Sequence, residues 1–190
     1  MLGIRSLLTL AAVALPALAA AQEEEAPIAC VYAGVDRNDA FAAIAAQNER
    51  EREPTAEEEA AMDRLADHAG ACQARLGWTD RQTVSALAYA FSRFTYEREV
   101  QALVTRGLHP SFIENVRDAL GEQGMAMLMA GEDTPENLEL VGDIVSRELL
   151  AAGYRIPKGS AEWRAIGGHI GRGLSARVAL DREVAAFGRE

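Results

Sequence analysis

The chain has 190 residues, 49% of them hydrophobic, with 19 basic and 29 acidic side chains and a formal net charge of −10. That balance argues against a nucleic-acid partner, which would be held by clustered lysines and arginines that neutralise phosphate. Three histidines and two cysteines leave little material for a metal centre.

Met1 and Arg5 precede an apolar run from Leu7 to Leu18, which gives way to Ala19, Ala20 and Ala21 and then to Gln22 and three glutamates. This is the order of a secretory signal: a basic start, an apolar middle and small residues at the cleavage point. The run is shorter than the ~20 residues a bilayer span requires. We therefore expect residues 1–21 to be a signal peptide and the chain to be exported, periplasmic or secreted, with no membrane span in the mature form. Removing those residues takes away one basic side chain and no acid, leaving 169 residues at a net charge of −11, the size of one domain. The acid is unevenly placed. Residues 22–68 hold 13 acidic and 4 basic side chains, whereas residues 155–190 hold 4 acidic and 7 basic ones. The simplest account of such runs is a solvated face; the other is a dipolar surface that steers a partner or a second copy of the chain.

The expected fold is all-α, a compact bundle of five or six helices in a single domain over 36–190, entered through an irregular lead-in over 22–35. A first helix over about 36–52 stops before Pro54. A second, over about 56–76, opens on the capping box Thr55–Glu58 and carries Met62, Leu65, Ala69, Cys72 and Leu76 on one face. Gly77 ends it. Thr79 and Gln82 cap a third helix to about Arg106, with Val84, Leu87, Phe91, Phe94, Leu103 and Val104 as core. A fourth opens on Ser111 and Glu114 with Phe112, Ile113, Val116 and Leu120 inward, its second half weakened by Gly121 and Gly124. Thr134 and Pro135 start a fifth, bearing Leu138, Val141, Ile144, Val145 and Leu149. The sixth starts near Ser160 and carries Trp163, Ile166, Ile170, Leu174 and Val178.

Cys30 and Cys72 survive signal removal, and in an exported chain an even pair implies one disulfide. Ile28-Ala29-Cys30 resembles the end of a bacterial lipoprotein box, but Glu23, Glu24, Glu25 and Pro27 separate it from the apolar run, which argues against lipidation. Trp78-Thr79-Asp80-Arg81-Gln82 resembles the L-T-x-x-Q motif of helical periplasmic stress chaperones over five residues, and a helix cap accounts for the same residues. Neither H-E-x-x-H nor E-x-x-H occurs, so no metal is expected. C-x-x-C-H and G-x-S-x-G are also absent, and no cofactor or nucleophilic catalysis is expected.

The run Gly167-Gly168-His169-Ile170-Gly171-Arg172-Gly173 is the most unusual. Each helical glycine costs about 1 kcal/mol relative to alanine, so four of them need a reason. Gly167 and Gly171, one turn apart, suit close approach of another helix. Alternatively the run is a loop presenting backbone N–H groups, His169 and Arg172 to an anion. Met125, Met127 and Met129 form a second unusual patch, either core filling or an adaptable binding surface. The expected function is binding of a protein partner, or self-association, in the periplasm. The alternative is an enzyme or small-anion binder with a pocket near His169 and Arg172.

Overall fold

The computed structural model describes residues 27–48, 53–130 and 134–189. The segment expected to be a signal peptide, the first residues of the lead-in and the last turn expected of the first helix lie outside them. Among the described residues the chain is all-helical, with a 3₁₀ turn at Pro27–Ala29 followed by seven α-helices. These are α1 (Cys30–Gly34), α2 (Arg37–Asn48), α3 (Ala56–Leu76), α4 (Asp80–Val104), α5 (Phe112–Ala130), α6 (Pro135–Ala151) and α7 (Ala161–Phe187).

Seven helices replace the expected five or six because the lead-in is itself helical from Pro27 to Gly34. An element of five residues is too short to display a period, and in isolation it would not be stable. Tertiary packing holds it: Ile28, Ala29 and Val31 are buried, and the His68 ring of α3 lies so close over Gly34 that a Cβ there would overlap it. Cys30 and Cys72 are joined in a disulfide with their Cα atoms 6.2 Å apart, across a sequence separation of 42. In the chain-entropy account such a closure stabilises the fold by roughly 3 to 4 kcal/mol.

Most helix starts follow the local chemistry. Thr55 with Glu58 and Thr79 with Gln82 form complete capping boxes, and Thr134 and Ser160 each accept from the backbone N–H three residues on. The residues that resemble a chaperone motif thus serve as a helix start. Trp78, just before it, is a core residue packed edge-on against Phe187 at 5.4 Å. The fourth expected start differs. Glu114 gives one oxygen to Tyr96 Oη at 2.8 Å and the other to Arg117 at 2.7 Å. A tertiary link from α5 to α4 thereby takes the carboxylate that the sequence pattern assigns to a cap.

Two hydrophobic clusters divide the interior. One gathers the 3₁₀ turn, α1, α2, α3 and the first half of α4, with Phe94 and Trp78 among its residues. The other gathers the end of α4 with α5, α6 and α7 around Leu103, Ile113, Val116, Leu149, Ile166 and Ile170. α4 and α7 belong to both and share the most extensive helix contact in the molecule. Not every expected core position is inside: Met62, Leu76, Val84 and Leu138 are exposed.

Residues 167–173 are helix, in the middle of α7. The close-packed glycine, however, is Gly173, where an added Cβ would collide with Ile113 of α5. Gly167 and Gly171, the pair expected to admit another helix, have nothing within 4 Å of where a Cβ would stand. Among the described residues they pack against no neighbour. Gly171→Ala should therefore raise stability by up to about 1 kcal/mol, through helix propensity alone. Gly173→Ala should lower it by roughly 1 to 3 kcal/mol, because Ile113 is fully buried and has little room to yield. Urea unfolding of the oxidised protein checks the order, and a reversed order contradicts this packing.

Candidate functional site

α5 is broken at Gly121, whose φ of 64° and ψ of −177° are not helical. Only glycine adopts that conformation readily. Before the break, Phe112, Ile113, Val116 and Leu120 are core; beyond it, Met125, Met127 and Leu128 form one wall of a groove of about 590 Å³. α6 supplies the opposite wall with Leu138 and Val141, while Val145, Ile170 and Leu174 make the floor. Trp163 closes one side. Its Nε1 donates to Ser146 Oγ at 3.0 Å, and its ring sits over Gly142, where a Cβ would stand 3.4 Å from it. The side chain of Met129, third of the expected methionine patch, lies outside the described residues.

Two features set this groove apart. Its rim leaves large apolar side chains in water: Leu138 is 57% exposed and Leu128 38%. Among the described residues its charged lining residues are Arg164 and Arg182, with no carboxylate. The other large hollow, about 690 Å³ beside the disulfide, is lined mostly by small residues together with His68, Arg75 and Leu76. Arg75 there donates to Cys30 Sγ at 2.8 Å; Leu76 is 43% exposed, but it is the one large aliphatic side chain in that lining, where the groove brings several together.

The sequence-predicted pair, His169 and Arg172, does come together, but not around a pocket. Both turn toward Glu99 of α4, a carboxylate only 2% exposed. Glu99 Oε2 lies 2.7 Å from His169 Nδ1 and accepts from Arg172 Nη2 at 3.0 Å, while Oε1 accepts from Arg98 Nη2 at 2.8 Å. Neither His169 nor Arg172 lines the groove. At about 100° per residue, Gly171 sits about 200° round α7 from His169, so the groove and the ion cluster occupy opposite faces of one helix. The sequence signals for the groove are the glycines, the methionines and Leu138. Read as packing, they conceal a face that nothing among the described residues covers. Among the described residues, no group of three or more His, Cys, Asp or Glu side chains is placed to hold a metal, and no helix is long and apolar enough to cross a membrane.

Burial by itself would push the Glu99 carboxyl up, yet hydrogen bonds from Arg172, His169 and Arg98 hold it below the usual glutamate range. A folded-state value below the unfolded one means that the unfolded chain binds the extra proton. The stability from Glu99 is thus complete above the ordinary glutamate value and is lost as pH falls through it toward the folded value. Glu99→Gln should reduce stability at neutral pH and flatten its loss between about pH 5 and pH 3 relative to the parent. Parallel losses in the two proteins, measured by denaturant unfolding at each pH, would contradict the role given to Glu99.

Compared with known protein families, with curated proteins and with solved structures, the chain finds no match in any of the three.

Proposed function

We propose that the protein acts after export by docking a partner protein in the groove between α5, α6 and α7. The observation that carries this reading is the open apolar groove itself, rimmed by exposed Leu128 and Leu138 and bordered by the uncovered Gly167 and Gly171. Contiguous apolar surface rimmed by polar residues marks interaction sites, and helix-in-groove recognition uses such a trough. The signal-like start and the disulfide both suit an oxidising compartment outside the cytoplasm. The alternative, an enzyme or anion site at His169 and Arg172, is disfavoured because both side chains are already turned onto the buried Glu99 carboxylate and neither lines the groove.

A photo-crosslinking residue placed at Leu138, at Gly171 or at Arg172 in the producing cell separates the two. The same partner, identified by mass, should be captured from Leu138 and Gly171 but not from Arg172. Adducts from position 172 alone, or from none of the three, would overturn the reading.

A further inference from the structure

Resting on the docking reading above, we propose that the occupant of the groove is an acidic amphipathic helix of about five turns, presented by the partner. The first observation is length. The groove follows one face of α7 from Trp163 and Arg164 to Arg182. The 18 helical steps from Arg164 to Arg182 span about 27 Å, which a second helix of similar length would match. The second is shape. Gly167, Gly171 and Ser175 recur every four residues along that face, and nothing stands within 4 Å of a Cβ at either glycine. Small residues at this spacing let a second helix axis come close, while the hollows beside them, under Met125 and Leu138, take its larger side chains.

The third observation is charge. Among the described residues, Arg164 and Arg182 are the charged lining residues, one toward each end. Arg164 donates to the Gly159 carbonyl and meets no carboxylate among the described residues, and Arg182 pairs with Glu183 at 2.9 Å along its own helix. Carboxylates near both ends of the incoming helix would meet these guanidiniums. A lipid acyl chain fits less well. Small-molecule sites enclose most of their ligand, whereas this trough is open along its side, with Leu138 more than half exposed. An acyl chain here would keep one flank in water; an amphipathic helix brings its own polar flank.

The test uses the signal-free, oxidised full-length protein and two labelled 18-residue helical peptides with the same Leu and Ala stripe. One carries Glu near both ends, the other Lys at the same positions. Fluorescence anisotropy should show the acidic peptide binding roughly tenfold more tightly, with the gap shrinking as salt rises. The double variant Arg164→Glu, Arg182→Glu should reverse the preference. Gly171→Leu should abolish binding of both peptides while its circular dichroism melt stays at or above that of the parent. Equal binding of the two peptides would overturn the acidic occupant and leave the groove reading standing. Failure of both peptides to bind, while crosslinks from Leu138 and Gly171 persist, would overturn a helical occupant. A concentration-dependent dimer in sedimentation that Gly171→Leu dissolves would assign the groove to a second copy. Displacement of the acidic peptide by dodecanoate with higher affinity would assign it to an acyl chain. Either result refutes the proposal.

Discussion

The rotation of α7 about its own axis depends on the buried carboxylate of Glu99. A desolvated carboxylate is tolerated only where donors replace the lost water. Two of its three donors, His169 and Arg172, are three residues apart on α7 and so share one side of that helix. Turning α7 by a single residue, about 100°, would withdraw both and leave the charge buried with Arg98 alone. Packing reinforces the same angle, because Ile166, Ile170 and Leu174 then face the core and Gly173 meets Ile113. What remains outward is the side bearing Gly167, Gly171 and Ser175. The face that holds α7 in place and the face left uncovered among the described residues are two consequences of one constraint.

That constraint reaches the whole molecule because α4 and α7 run through both hydrophobic clusters. Phe187, at the end of α7, returns to Trp78 at the start of α4. Further polar links bind neighbouring helices to this pair: Tyr32 donates to Glu97 of α4, and Arg177 of α7 reaches Glu114 of α5 at 3.5 Å. Tyr96, which donates to the same Glu114, has its phenol pushed up to about 12 by burial and by that carboxylate, so it stays a donor at any physiological pH. The amino-terminal helices add little length of their own and are held by the disulfide and by the close contact of His68 with Gly34. The groove, at the far cluster, uses none of these links.

The sequence is most legible where a local rule suffices. Thr55 with Glu58, Thr79 with Gln82, and the Thr134-Pro135 start all announce helices because a cap satisfies backbone donors within a few residues of itself. The pairing of Cys30 with Cys72 also follows from counting, since no third cysteine competes. Legibility fails where a residue's role is set by something distant in sequence. Glu114 satisfies a capping pattern but is drawn to Tyr96 and Arg177. α1 has no period to read, because burial by α3 and α4 makes it a helix. His169 and Arg172 look like a site since nothing nearby reveals Glu99, 70 and 73 residues earlier. The glycines are recognisable as anomalous, yet which of them meets a neighbour depends on the rotation of α7. Only the fold separates Gly173, pressed on Ile113, from Gly171, open to solvent.

The rotation of α7 can be measured directly through two adjacent residues, about 100° apart around its axis. Ser175 is exposed on the groove face, and Ala176 is buried at 6% exposure. Single cysteines at these positions, in the protein with its disulfide intact, report the angle through their rates of reaction with a maleimide. With α7 held as described, Ser175→Cys should react at least about 100-fold faster than Ala176→Cys, which must wait for local opening. Comparable rates, or faster reaction at position 176, would show that α7 is not fixed at this angle and that the groove face is not the one turned outward.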